Sequence, residues 1–372
     1  MTRSELIVNN YIEKMILPSD PLAPQWNVEN SVCEKLPKWN YIDNCMIAAI
    51  LMLYDVSEDE RLLDYSVKFT DTYVGEDGSI PTMNYADYNL DNLNGGKNLI
   101  RLWKLTGSEH YRLAFEKLWN EQVLRQPRLS CGSFWHKAIY PDQIWLDGTY
   151  MSLPFMAEYG KLHDLRGVTD DVERQFYDIR KITRDPQTGL YFHGYDDTKT
   201  MIWADSITGL SPEFWLRSNG WLCAALADVY EILEDMTTGR ILSEMLGDMV
   251  KYCRDDGMLY QLPLKPELEW NYPETSGTLL VAYAALKAAR LGVCGDDIRQ
   301  IGLKAFNTVT EKFINTDQDI PVLGNICLVG GLGGENERDG SAEYYLSEKI
   351  TQNDAKGIAP YIMAFTEIKK MQ

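Results

Sequence analysis

Six times along this chain a short polar segment, mostly containing glycine, runs straight into an apolar stretch of small residues. The segments are "YIDN" from residue 41, "LDNLNGG" from 90, "WLDGTY" from 145, "WLRSNGW" from 215, "NYPETSG" from 271 and "NDAKG" from 353. Behind them come stretches such as "CMIAAILMLYDV", "WLCAALADVYEIL", "LLVAYAALKAARLG" and "IAPYIMAFTEI", rich in Ala, Leu and Met. Their apolar residues recur at helical spacing, and long alternating runs are absent. A helix that is apolar on most sides must be buried on most sides. Successive lead-ins lie roughly 50 to 80 residues apart, room for a buried helix, a turn, an outer helix and a loop. Six such units fill the length and predict an all-α (α/α)6 barrel, with the starts of the inner helices gathered on one face.

Segments between the units carry glycine followed by aromatics: "DGSIPTMNY", "CGSFWHKAIY", "TGLYFHGYDD" and "DGMLYQLPL". They are expected to form short strands or hairpin arms edging that face. "GGLGGENERDG", from residue 330, has neither the GK[ST] nor the GxGxxG spacing of a phosphate loop and reads as a flexible loop. No linker or low-complexity stretch divides the chain, so one domain over residues 1–372 is expected.

The formal net charge of −19 argues against a nucleic-acid surface, which needs clustered Lys and Arg. It also requires that any anionic ligand be met by local cations, because the overall field repels it. No run reaches the roughly 18 apolar residues of a membrane span. The opening "MTRSELIVNNYIEKMILPSD" lacks an apolar core and a small-residue cleavage site. Seven scattered cysteines without CxxC spacing read as reduced thiols. A cytoplasmic protein without membrane or nucleic-acid partners is the expectation, and no coiled-coil seam or dimer motif is present. There is no HxxxH or HxH pair and no acidic triad at ligand spacing, so neither a metal nor another cofactor is expected.

Trp39, Trp135, Trp145, Trp203, Trp215, Trp221 and Trp270 all fall at or near the lead-ins. Each alone is readily a core residue. A group of them on one rim is what a sugar site needs, since pyranose C–H faces stack on aromatic rings while hydroxyls reach polar neighbours. His136 and His193 sit in rim segments beside aromatics. Six carboxylates share that rim: Asp43, Asp91, Asp147, Asp205, Glu213 and Glu274. An acid so placed is most often a helix cap or a first-turn charge. Asp147 and Asp91 stand apart because each leads into glycine in aromatic or amide company. Aromatic neighbours desolvate a carboxyl and raise its pKa, which suits a general acid. Arg217, the only arginine at an inner-helix start, is either a salt bridge or a clamp for a ligand carboxylate.

The segments "FWHKAIYPDQIWLDGTYMSLPFMAEYG", "LYFHGYDD", "TGLSPEFWLRSNGWLCAALADVYEIL", "NYPETSGTLLVAYAALKAARLG" and "GGLGGENERDGSAEYYLSEKITQNDAKGIAPYIMAFTEI" resemble glycoside hydrolase family 105. These are the unsaturated rhamnogalacturonyl hydrolases, related to the unsaturated glucuronyl hydrolases of family 88. The similarity runs in matching order from about residue 39 to the C-terminus. It implies an (α/α)6 barrel without metal, acting on oligosaccharides left by polysaccharide lyases, whose non-reducing end is a 4,5-unsaturated uronic acid. The implied chemistry is vinyl-ether hydration: a proton goes to C4, water adds at C5, and the hemiketal opens to release the next sugar. By the resemblance Asp147 is the acid and base, and Asp91 holds the ligand or tunes Asp147. His136, His193, Arg217 and Trp221 fall on substrate-contacting positions, and Trp145 and Trp215 wall the pocket. Arg217 with one of the histidines is expected to recognise the uronate. "LRSNGW" and "LDNLNGG" depart from the commonest family forms, which leaves the leaving sugar open among rhamnose, another pectin sugar, and a sulfated or amino sugar.

Three other readings fit parts of the pattern. An inverting glycosidase would use Asp147 and Asp91 as separate acid and base, roughly 6.5 to 9.5 Å apart. An isomerase or epimerase would use histidine bases near the pocket centre. A non-catalytic carbohydrate-binding protein would keep the tryptophans and have no use for Asp147.

Overall fold

The computed structural model describes residues 1–335 and 337–372. Its principal helices are α1 (Arg3–Tyr11), α2 (Tyr41–Ser57), α3 (Glu60–Asp71), α4 (Gly96–Thr106), α5 (Glu109–Lys117) and α6 (Asp147–Leu162). They continue as α7 (Arg166–Thr183), α8 (Leu216–Leu233), α9 (Met236–Met249), α10 (Thr275–Arg290), α11 (Asp296–Thr308) and α12 (Ala355–Lys370). The even-numbered helices pack side by side in order, and α12 returns to α2 to close a ring. The odd-numbered helices lie outside it. This is the (α/α)6 barrel that the six lead-ins predict, with one difference. The outer partner of α12 is α1, whose Arg3 donates to the carbonyls of Thr310 and Ile314 and whose Tyr11 hydroxyl donates to Asn353.

Burial explains the two helix classes. In α10 every residue from Thr275 to Ala288 is buried, so small side chains must face both the barrel axis and the outer layer. Outer α7 buries only Val172, Gln175, Phe176, Ile179 and Thr183, a single stripe at helical spacing. Glycines in the lead-ins allow the inner helices to close on one another. A Cβ on Gly277 would lie 2.5 Å from Leu216 Cγ, and one on Gly220 would lie 2.9 Å from Leu280 Cβ. Pro154 inside α6 has no N–H to give the Tyr150 carbonyl, and Asn94 Nδ2 supplies a bond there at 3.4 Å. A connected apolar cluster extends from Ile7 to Phe365.

Rim strands are fewer than expected in one place and more numerous in another. β1 (Gln143–Trp145) pairs antiparallel with β2 (Gly194–Asp196), setting Trp145 opposite Gly194. Single bridges join Lys137 to Tyr140, Arg184 to Tyr191 and Tyr260 to Pro273. "DGSIPTMNY" forms no strand; it turns and enters a 3-10 turn over Tyr85–Asp87. Two unanticipated pairs, Ile314–Asn315 with Val322–Leu323 and Ile326–Cys327 with Ile350–Thr351, are two residues long, too short to show an alternating pattern. Among the described residues no helix is long and apolar enough to cross a membrane.

Candidate active site

Three rim segments are tied together by backbone. The His136 N–H donates to the Gln143 carbonyl and the Leu146 N–H to the His193 carbonyl, with β1 and β2 between them. This frame delivers the start of α6, and with it Asp147, to the barrel mouth.

Four of the six rim carboxylates serve structure. Asp43 accepts from Trp26 Nε1 and from the Asn27 and Asn40 amides. Asp205 closes a turn through the N–H groups of Ile207 and Thr208. Glu213 pairs with Lys265, and Glu274 caps α10 through the N–H groups of Ser276 and Gly277. Asp147 behaves differently. Although it is the first residue of α6, no side chain caps that helix. Its Oδ2 accepts from His193 Nε2 at 3.0 Å, and Oδ1 has no hydrogen-bond partner among the described residues. Asp91 also faces the mouth, with Oδ2 2.6 Å from Lys137 Nζ and Oδ1 3.9 Å from His136 Nε2.

Both acids line a cavity of about 300 Å³, at the small end of ligand sites. Trp39, Tyr41, Tyr140 and Trp145 supply its aromatic wall, and Lys38, Lys137 and Arg338 its cationic side. The Trp145 ring stacks on His136 and on Tyr140, each with centroids 4.6 Å apart. Gly148 makes the first of these stacks possible, because a Cβ there would lie 2.8 Å from Leu90 Cδ1 and 3.1 Å from His136 Nδ1. Gly148→Ala is therefore expected to displace His136 and to cost about 1–3 kcal/mol of stability. A thermal midpoint and a turnover rate both equal to wild type would refute this packing role.

The electrostatics correct one expectation. Burial does push the Asp147 carboxyl up, but the charge and hydrogen bond of His193, then His136 and Arg217, outweigh it, and the group lies below the ordinary aspartate value. His136 is pushed down to about 4, first by burial and then by Lys137, against the pull of Asp91 and Asp147. It is neutral at physiological pH. His193 is fully buried, with Nδ1 2.5 Å from the hydroxyl of the equally buried Tyr345, in the short helix Ala342–Ser347. A tyrosine hydroxyl both donates and accepts. When it donates to Nδ1, His193 offers Nε2–H to an ionised Asp147; when it accepts, Nε2 is free to receive a proton from a neutral one.

The remaining sequence candidates stand behind the wall. Trp215 is buried against Tyr345 and His193, with ring centroids 5.7 and 4.9 Å away. Gly330 lines the cavity and covers it: a Cβ on Gly330 would lie 2.5 Å from Trp215 Cζ2. Arg217 is buried, its guanidinium donating to the Cys327 carbonyl and the Ser276 hydroxyl. Trp221 stacks on Tyr150 at 4.9 Å in the core. Asp91, Asp147, His136 and Trp145 are thus brought together at the cavity surface, while His193, Trp215, Arg217 and Trp221 form the layer beneath. Lys137, Tyr140, Tyr345 and Arg338 were not singled out by sequence. Lys137 directly follows His136. Arg338 lies in the glycine-rich segment read as a loop, of which Asn336 is outside the described residues; it donates to the Gly333 carbonyl at 2.8 Å and the Tyr140 hydroxyl at 3.1 Å. A cation inside so acidic a chain was the available signal. Among the described residues no group of three or more His, Cys, Asp or Glu is placed to hold a metal ion.

Comparison with known proteins agrees with this architecture. The sequence profile of Glycosyl Hydrolase Family 88 matches residues 22–372. A solved glycoside hydrolase from family 105 of C. acetobutylicum ATCC 824 is 35% identical, covers 99% of each chain and superposes with a TM-score of 0.88. Protein Atu3128 of Agrobacterium fabrum is 36% identical over 228 residues, 58% of this chain and 97% of its own. Unsaturated rhamnogalacturonyl hydrolase YesR of Bacillus subtilis is 23% identical over 263 residues, 68% of this chain and 72% of its own. With nearly its whole length matched, the chain belongs to the family 88 and 105 glycoside hydrolases.

Proposed function

We propose that this enzyme removes a 4,5-unsaturated uronic acid from the non-reducing end of lyase-generated oligosaccharides, with unsaturated rhamnogalacturonan disaccharide as its first candidate substrate. The observation that carries the reading is Asp147, a rim carboxyl that caps nothing, with one oxygen held by His193 and the other free toward the cavity. Similarity to YesR, whose name describes an unsaturated rhamnogalacturonyl hydrolase, supports the substrate class.

The unsaturated ring lies against Trp145, and its carboxylate is met by Arg338 and Lys137 on the wall, with the charge of Arg217 behind it. That incoming anion is a second negative charge beside Asp147 and raises its pKa. Asp147 then holds a proton on Oδ1 while Oδ2 continues to accept from His193 Nε2–H, and Oδ1–H gives the proton to C4. Positive charge develops at C5 and the ring oxygen. Water attacks C5 and returns its proton to the Asp147 carboxylate, so the acid is regenerated. The C5 hemiketal opens by breaking its bond to the ring oxygen, which leaves a ketone at C5 and a hemiacetal at C1. The hemiacetal collapses to the C1 aldehyde, the C1–O bond to the next sugar breaks, and that sugar leaves with the hemiacetal proton on its restored hydroxyl. Asp91, tied to Lys137, orients the cation rather than exchanging protons.

Loss of the ultraviolet absorbance of the unsaturated uronate tests the reaction directly. Lyase-digested rhamnogalacturonan is expected to lose its absorbance on incubation, and faster than lyase-digested glycosaminoglycan. Persistence of the absorbance with every lyase digest, together with sugar release from saturated glycosides, would overturn the proposal.

A further inference from the structure

A second cavity, of about 410 Å³, lies on the barrel axis away from the active site. Every inner helix contributes to its wall: Met52 from α2, Lys97 from α4, Tyr150 from α6, Asp228 from α8, Lys287 from α10 and Lys370 from α12. Four of these six stand in the second half of their helix, Lys370 being the last residue of α12. The cavity therefore opens at the end of the ring opposite Asp147, which begins α6. Lys97 and Tyr150 stand near the starts of their helices and form its floor. No residue lines both cavities, and Tyr150 and Met151, consecutive on α6, face different ones.

The charges in this rear cavity are matched with one exception. Arg101 pairs with Asp55, Lys104 lies 3.0 Å from Glu158, and Lys370 lies 3.2 Å from Glu367. Lys287 lies 2.8 Å from Asp228 and 2.5 Å from Glu231. Lys97 is left over. Its Nζ is buried with no hydrogen-bond partner among the described residues, 4.0 Å from Asp228 Oδ2 and 3.7 Å from the centre of the Tyr150 ring. The Tyr150 hydroxyl is likewise buried and unpartnered among the described residues. Burial pulls the Lys97 pKa down against the attraction of Asp228. Two such groups on one floor destabilise the protein, and an apolar side chain of the same length would seal the ring without that cost. Beside them is one vacant acceptor: Asp228 Oδ1 is taken by Tyr283 and Lys287, but Oδ2 receives no hydrogen bond. Unused donors next to an unused acceptor suit a carboxylate with a neighbouring hydroxyl. The single unmatched cation sets the ligand charge at one. The carbonyl ends of six helices at the mouth repel an anion there, so its charge belongs at the floor. The volume admits a monosaccharide-sized molecule and little more.

We propose that the rear cavity binds a monoanionic sugar acid, its carboxylate accepting from Lys97 and Tyr150 and an adjacent hydroxyl donating to Asp228. Binding draws Nζ off the Tyr150 ring and onto the carboxylate. The proposal is independent of the uronate reading and stands or falls without it. Calorimetric titration and a crystal structure with D-gluconate and with D-galacturonate test it, with sorbitol and galactose as neutral counterparts. At least one of the acids is expected on the floor, its carboxylate within hydrogen-bond distance of Lys97 Nζ. Affinity at this site is expected to exceed that of the neutral counterpart by about tenfold and to fall by about tenfold in Lys97→Met. That variant, relieved of an unpartnered ammonium, is expected to keep or raise the thermal midpoint of the unliganded protein. Galacturonate can also enter the active site, so the wild-type crystal structure decides the location without any variant. An acid found only at the active-site mouth, rear-site affinity unchanged by Lys97→Met, or neutral sugars bound as well as the acids would each overturn the proposal. So would the absence of binding by either acid in the millimolar range.

Discussion

Asparagine at position 147 is expected to give a folded protein that binds the unsaturated sugar and turns it over on the order of 10³-fold more slowly. The amide is nearly isosteric and still pairs with His193, so the frame of β1, β2 and α6 has no reason to move. What it lacks is a proton to give to C4 and a basic oxygen to take one from water. Both halves of the cycle use the same atom, so the loss falls on kcat with little change in KM. Turnover within tenfold of wild type would move the acid role to another group, Asp91 first. The variant also reports on stability. The Asp147 pKa is lowered by folding, so its contribution is present above the ordinary aspartate value and is lost as pH falls through the lowered one. Asp147→Asn is expected to flatten that part of the acid limb of the stability curve.

His193→Ala is expected to cost more in stability than any other change at the site, about 3 kcal/mol at neutral pH. It removes the partner and leaves a buried carboxylate with burial as the dominant influence, so the Asp147 pKa moves from below its ordinary value to above it. The sign of the pH dependence then reverses. The deficit against wild type should shrink as the solution is acidified and Asp147 becomes neutral, where the wild-type contribution is itself fading. Denaturant unfolding at a series of pH values measures the deficit, and the infrared band of the protonated carboxyl, assigned by difference with Asp147→Asn, follows the pKa. A deficit that stays constant or grows toward acid would contradict the pairing of His193 with Asp147. Tyr345→Phe removes only the outer hydrogen bond, and about 1 kcal/mol with a smaller shift in the same direction is expected.

The ring was legible because burial leaves a periodic trace. Inner helices such as α10 are apolar all round, and each is announced by a cap or a close-packing glycine, as Glu274 and Gly277 announce it. The position of Asp147 was legible for a related reason: an acid followed by glycine at a helix start beside tryptophan is either a cap or a site, and the structure shows that it is no cap. Depth was not legible. Trp215, Arg217 and Trp221 occupy the cap and first two turns of α8, and whether that end faces the cavity or sits under Gly330 depends on a loop more than a hundred residues downstream. The same distance hid Tyr345 and Arg338, which meet His193 and Tyr140 only after the ring has closed. The direction of the Asp147 pKa shift was missed because aromatic neighbours signal desolvation in sequence, whereas a histidine 46 residues away gives no local sign.

Closure of the ring by α12 against α2 has a consequence for how the protein is made. The seam joins residues near the two ends of the chain: Lys369 meets Glu5, Tyr11 meets Asn353, and α12 packs on α2. During synthesis the first five inner helices emerge with apolar flanks that have no neighbour on one side. They stay that way until the sixth has cleared the ribosome. Folding by accretion of whole units therefore cannot complete before the sixth inner helix arrives, and until then the barrel is an open arc with exposed apolar flanks.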